Sequence, residues 1–299
     1  MLGTMRRLVL LLALSLPLFA ATFKSDDGVT LHYDVIGKGD PVVLLSGGPG
    51  FSPGYLEPIA KALSAKHACV LFHQRGTGRS VLEKYDATTL ELKKLVADLE
   101  ALRRELKVEK LTVVAHSFGG ILSMLYASEH PDRIRALALI DSGGPTLAAV
   151  PKFAMTLSSR FSPDDIAKIT EWSNPERMNA NRRKAILEIT KAKTAAYFAD
   201  RSKAHLLTDS LTEESFHDGV FYAVTPQLMA GLDLTAAMKN VKAPVLVIHG
   251  KQDPLETAQE VHDTFAGSRL EIIEDAGHFP WLEKPDAVFG ALRTFLGGD

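Results

Sequence analysis

A single cysteine, Cys69, stands in 299 residues, so no intramolecular disulfide can hold the chain together. It lies in the apolar run Ala68-Cys69-Val70-Leu71-Phe72, the setting of a small buried core residue and not of a reactive thiol. Excess charge is lacking too. The net charge is −2 and there is no lysine or arginine stripe, which excludes nucleic acid as a partner. The histidines show no ligand spacing such as His-Glu-x-x-His, so no metal or other cofactor is expected. Repeats, low-complexity tracts and linkers are absent, which leaves no sign of a second independent domain. The apolar run from Leu8 to Leu18 is too short to span a bilayer comfortably.

That run has another meaning. Arg6 and Arg7 precede it and Phe19-Ala20-Ala21 follows, the order of a basic segment, an apolar segment and a small-residue cleavage site. Residues 1–20 are therefore expected to be a signal peptide cut after Ala20 or Ala21, giving a periplasmic or secreted protein without stable membrane association. An uncleaved leader acting as a membrane anchor is the alternative.

With 46% hydrophobic residues the rest of the chain can bury a large core. Thr22 to Ile36 alternates around Asp26-Asp27-Gly28, which predicts a β-hairpin. Ser52 to Ala65 and Thr88 to Leu106 carry helical periodicity, as does Phe118 to Glu129, while Pro41 to Leu45 and Ile134 to Ile140 are short apolar strands. Alternating strands and helices predict an α/β fold with a mainly parallel, doubly covered sheet, whose ligands bind beyond the strand C-termini. Between residues 146 and 237 the strand signal disappears and Pro163 to Trp172, Asn179 to Phe198 and Thr212 to Met229 look helical. These residues are expected to form a helical cap inserted into a core made of 22–145 and 238–299.

The chemistry centres on Ser117 in Val113-Val114-Ala115-His116-Ser117-Phe118-Gly119-Gly120, where a strand turns sharply into a helix between small residues. This is the pattern of a nucleophile elbow, with Ala115 in place of the first glycine of G-x-S-x-G. A serine hydroxyl needs a base and a carboxylate to orient that base. The strand Ala243 to Gly250 leads into Lys251-Gln252-Asp253-Pro254, and the next, Leu270 to Glu274, leads into Asp275-Ala276-Gly277-His278. Taken singly, Ser117 is a turn residue, Asp253 a cap and His278 a packed ring. Taken together at strand ends, in the order Ser, Asp, His, they match the α/β-hydrolase arrangement. The oxyanion donors expected are Phe118 N–H and, from the side-chain-poor loop Ser46-Gly47-Gly48-Pro49-Gly50, Gly48 N–H.

That loop resembles the His-Gly-Gly-Pro-Gly segment of the proline iminopeptidase family of α/β-hydrolases. His73-Gln74-Arg75-Gly76-Thr77-Gly78-Arg79-Ser80 resembles its Asp-Gln-Arg-Gly-x-Gly-x-Ser segment. The resemblance covers about residues 22–145 and 243–296; Ser46 and His73 stand where the family has His and Asp. It implies Ser117 as nucleophile, His278 as base, Asp253 as orienter and a small-molecule or short-peptide substrate whose free amine is held by cap carboxylates. Glu171 beside Trp172 is the pair first expected in that role. Arg75 is expected to serve the loop structurally. Three functions fit the sequence: an exported aminopeptidase of the iminopeptidase type, a carboxylesterase of broad small-ester specificity, and a non-hydrolytic ligand receptor on a hydrolase fold.

Overall fold

The computed structural model describes residues 18–297. Eight strands form one sheet in the order β1-β2-β4-β3-β5-β6-β7-β8. They are β1 (Leu18–Lys24), β2 (Thr30–Ile36), β3 (Asp40–Leu45), β4 (His67–His73), β5 (Leu111–His116), β6 (Ile134–Ile140), β7 (Val245–Gly250) and β8 (Arg269–Ile273). The hairpin β1-β2 is antiparallel, as is β2 with β4, and every other pairing is parallel. The leader segment 1–17 lies outside the described residues, and its expected end falls in the edge strand β1. A cut after Ala20 leaves Ala21–Lys24 paired with Thr30–Tyr33.

Burial explains the continuous apolar strands. Val43, Leu45, Val70, Val113, Leu137 and Val247 face one core with α2 (Leu92–Glu105), α3 (Phe118–Glu129) and α11 (Ala258–Thr264). Their neighbours Val42, Leu44, Cys69, Val114, Ile140 and Ile248 face the other with α1 (Glu57–Leu63) and α13 (Pro285–Phe295). Successive residues of a strand point to opposite faces, so both faces are covered and each strand is apolar throughout. Burial pushes the Cys69 thiol up to about 12, as fits an inert core residue.

Between β6 and β7 lie α4 (Val150–Ser159), α5 (Pro163–Trp172), α6 (Pro175–Ala180), α7 (Arg182–Thr194), α8 (His205–Thr208), α9 (Asp218–Met229) and α10 (Thr235–Met238). α5 starts with the capping box Ser162/Asp165, at the acid-initiated turn read from the sequence. The expected helix from Asn179 to Phe198 is broken at Asn181, whose side chain caps α7. The helix expected from Thr212 begins instead at Asp218. Ser215 and His217 spend their backbone groups on the loop after β3, through Ser52 N–H to Ser215 O at 2.9 Å and His217 N–H to Gly50 O at 2.9 Å. Backbone committed across the molecule cannot also close a helical turn.

Arg75 fixes the loop after β4 to two other elements. Its guanidinium donates at 2.7 and 2.8 Å to Asp98 on α2 and at 2.7 and 2.9 Å to Asp27 in the β1-β2 turn, with a further bond to Thr89 O at 3.3 Å. Arg75 and Asp98 are buried, whereas the Asp27 side chain is 34% exposed. Removing one member of a buried pair strands the other charge. Asp98→Ala should therefore lose about 3–5 kcal/mol of stability in denaturant unfolding, and Asp27→Ala no more than about 1 kcal/mol. Equal losses would mean that burial does not set the strength of this network.

Candidate active site

The end of β5 places Ser117. Its backbone has φ +54° and ψ −120°, outside the helical and extended regions, and the next residue opens α3. Two bonds to β6 and the loop after it hold the turn: Ser117 N–H to Ile140 O at 3.1 Å, and Gly143 N–H to Ser117 O at 3.1 Å. A Cβ on Gly120 would lie 1.9 Å from Ser142 Oγ, so only glycine lets the helix leave the sheet at this angle. Ala115, where the motif has glycine, packs its methyl fully buried in the core. Ser117 itself is half-buried.

His278 and Asp253 arrive on the loops after β8 and β7. His278 Nδ1 and Asp253 Oδ2 are 2.9 Å apart, and Asp253 Oδ1 accepts from Leu255 N–H at 2.9 Å. With Nδ1–H committed to Asp253, Nε2 is the proton-accepting nitrogen of the imidazole. Burial disfavours both charged forms: it lifts the Asp253 carboxyl to about 7 and pulls the His278 imidazole down, with His249 adding to the second shift. The His278 imidazole is thus neutral, with a lone pair able to accept a proton.

The loop after β3 closes over the serine. A Cβ on Gly47 would lie 2.8 Å from Ser117 Cβ and 3.3 Å from its Oγ, so the loop approaches as closely as bare backbone allows. Among the described residues no protein acceptor meets Gly48 N–H or Phe118 N–H, the two donors expected from the sequence. Phe118 N–H also stands at the positive end of α3.

Three side chains that the sequence reading passed over hold these loops in register. Gly47 N–H donates to Tyr55 Oη at 2.7 Å, and Tyr55 Oη lies 2.7 Å from His116 Nδ1. His116 Nε2 lies 2.9 Å from His278 O. A carbonyl only accepts, so His116 carries its proton on Nε2 and Nδ1 accepts from the tyrosine hydroxyl. Burial holds this imidazole well below its ordinary pKa, hence neutral. The loop after β3 is thereby tied to the backbone of His278. Glu283 is the third: buried, it accepts from Gly277 N–H at 2.6 Å, Asp200 N–H at 2.9 Å and Ala199 N–H at 3.3 Å. With His278 N–H bonded to Tyr197 O at 2.8 Å, it binds the His278 loop to the inserted helices. Position at the last residue of β5, beside Ser117, was the only signal for His116; Tyr55 and Glu283 gave none.

Glu171 and Trp172 are not brought to this site. Glu171 is exposed and paired with Arg177 at 2.5 Å, while the same guanidinium lies 4.5 Å above the Trp172 ring and Lys184 lies at 5.7 Å. The expected acid and aromatic wall for a substrate ammonium are already occupied by the chain's own cations. Glu213, Glu214 and Asp218 line a cleft of about 330 Å³ that also includes Gly76, Tyr85 and His217. Asp218 is held there by Arg182. The two departures from the family loops are structural: Ser46 Oγ donates to Phe51 O at 2.6 Å, and His73 Nε2 sits 3.1 Å from Asp34.

The sequence profile of the α/β-hydrolase fold family matches residues 40–285. A proline iminopeptidase of Xylella fastidiosa is 28% identical over 91% of this chain and 94% of its own length. Among solved structures, a proline iminopeptidase-related protein of Thermus thermophilus superposes with a TM-score of 0.71 at 21% identity, over 94% of this chain and all but 2% of that one. An esterase of Exiguobacterium antarcticum superposes with a TM-score of 0.67 at 21% identity, over 93% of this chain and 100% of that one.

Tyr55→Phe leaves Gly47 N–H and His116 Nδ1 buried without a partner. Stability should fall by about 1–3 kcal/mol, and any turnover at Ser117 should lose kcat with little change in KM. Unaltered kcat would mean that the oxyanion loop keeps its place without the hydroxyl.

Proposed function

The chain belongs to the α/β-hydrolase fold family, and from that premise we infer that it is a serine hydrolase cleaving amides or esters through an acyl-enzyme at Ser117. The observation that carries this reading is the buried 2.9 Å His278–Asp253 pair on the loops that converge with the Ser117 turn. Ser117 Oγ attacks the substrate carbonyl carbon while His278 Nε2 takes the hydroxyl proton. Asp253 holds the imidazole and stabilises its charged form. The carbonyl oxygen becomes an oxyanion facing Gly48 N–H and Phe118 N–H. The proton passes from His278 to the departing amine or alcohol, and water, deprotonated by the same imidazole, releases the acid and restores the serine.

For the substrate, we propose an N-terminal proline or small residue on a short peptide. Support comes from the iminopeptidase relatives, which match this chain over nine-tenths of its length. Glu213 and Glu214 are the acids we assign to the substrate amine, because they sit beside the His217–Gly50 seam of the oxyanion loop. A carboxylesterase is the second reading. It is favoured by Tyr197 and Phe279, whose rings lie 5.3 and 5.4 Å from His278 and form an apolar wall that asks nothing of an amine. We further propose that residues 1–20 export the protein and are then removed. A mature N-terminus at Ala21 or Thr22 in protein recovered outside the cytoplasm would support this, and an intact Met1 would refute it.

Prolyl-p-nitroanilide and p-nitrophenyl butyrate separate the two substrates, with Ser117→Ala as control. Faster prolyl-amide turnover, lost when the amine is blocked, is the expected result; ester turnover alone would make the protein an esterase. Ser117→Ala should abolish both activities with the fold unchanged. The pH dependence follows from the pair. One added proton removes either the free Nε2 lone pair or the charge that orients it, so kcat/KM should fall about tenfold per pH unit on the acid side. A flat profile over roughly pH 4–8 would mean that the Asp253 carboxyl is not raised toward 7.

A further inference from the structure

Behind the His278–Asp253 pair lies a second carboxyl group that the mechanism above does not use. Asp141 directly follows β6 in a left-handed conformation, φ +42°, and is fully buried. One oxygen of Asp141, one of Asp253 and a ring nitrogen of His249 all lie within 4.8 Å of one another. Asp141 Oδ1 accepts Gly250 N–H at 2.8 Å, while no protein donor reaches its Oδ2. His249 does not resolve this: its nitrogens stand 3.5 Å from Asp141 Oδ1 and 3.6 Å from Asp253 Oδ2, too far for hydrogen bonds. Two buried carboxyl groups whose oxygens lie within 4.8 Å of one another cannot both carry a charge, so one of the pair is a carboxylic acid.

We propose that Asp141 is a positioning residue held as a neutral carboxylic acid, whose Oδ2–H donates to the Asp253 carboxylate and fixes it for His278. The assignment of the proton to Asp141 rests on the bonds already made. Asp253 accepts Leu255 N–H on one oxygen and His278 Nδ1–H on the other, which favours its charged form. Asp141 accepts only Gly250 N–H, and its second oxygen is free to carry hydrogen. The groups facing Asp141 are Asp253, His249 and Gly250 N–H. Those acting on Asp253 beyond His278 are Arg160, which favours its charge, and Glu256, which opposes it. Burial with the neighbouring Asp253 charge drives the Asp141 carboxyl well above the ordinary range.

This inference builds on Asp253 as the orienter of His278, and its test reads the proton apart from catalysis. Infrared spectroscopy of the full protein at neutral pH should show the carbonyl stretch of one protonated carboxyl group, absent in Asp141→Asn and retained in Ser117→Ala. Asparagine keeps a donor in the same place and tolerates the left-handed backbone. Asp141→Asn should therefore turn over ester or anilide within about threefold of wild type, and Asp141→Ala should lose at least about tenfold in kcat. An Asn variant as impaired as the Ala variant would mean that Asp141 acts by its charge, and a wild type without the carboxyl band would mean that the cluster holds no such proton. Either result overturns the proposal. If the band is present but Asp253→Asn keeps full activity, the triad assignment fails while the protonated Asp141 stands.

Discussion

The turn at Ser117 is the constraint on which the rest of the structure depends. A non-glycine residue held at φ +54° and ψ −120° costs on the order of 1–3 kcal/mol. That cost is met by the parallel sheet: Ser117 is bonded through its own N–H and C=O to β6 and the loop after it. The sheet in turn dictates what can surround the serine. Gly47 and Gly120 face it or its turn across gaps that a methyl could not enter. The turn, the close loops and the free Phe118 N–H are therefore consequences of one geometry: a strand that must become a helix within one residue.

Such a site needs its loops fixed in place, because they come from distant parts of the chain. Buried side chains supply most of the bonds that fix them, to backbone and to one another. Tyr55 and His116 join the loop after β3 to the one after β8, and Glu283 joins the latter to the inserted helices. Arg75 does the same for the loop after β4, with the turn of the β1-β2 hairpin and α2 as its anchors. Each of these groups is buried, and each has its polar atoms largely matched. A buried network with every member satisfied rigidifies what it touches, whereas a half-satisfied one would loosen the loops and expose the strained turn to relaxation. The seam between His217 and Gly50 extends the same logic to the inserted segment, whose backbone gives up a turn of helix to clamp the loop after β3.

Much of this was legible in the sequence because strand ends announce themselves. An apolar run stopping at a small or polar residue located Ser117, Asp253 and His278, and the bounds of α3, β6 and α5 followed from periodicity and capping. What escaped was everything decided by partners far along the chain. Glu171 and Trp172 suggested an ammonium site by composition alone, and Arg177, six residues from Glu171, fills it. Thr212 to His217 carried a helix-start signal that tertiary backbone bonds overrode. Tyr55, His116, Glu283 and Asp141 have no local pattern, since their significance lies in contacts spanning up to 162 residues.

The two departures from the resembled family loops show how the same frame tolerates different side chains. Ser46 turns its hydroxyl onto Phe51 O within its own loop and receives Gln74 Nε2–H on its carbonyl at 2.8 Å, so a short polar residue suffices to brace the loop after β3. His73 accepts Arg79 N–H on Nδ1 at 3.1 Å and meets Asp34 through Nε2. The carboxylate missing from the loop is thus supplied from β2, across the sheet. Both positions support the backbone of loops that carry the site without presenting a reacting atom to it. Neither loop therefore needs the family's own side chain to keep its backbone in place, because Ser46 and His73 reach other partners for the same purpose.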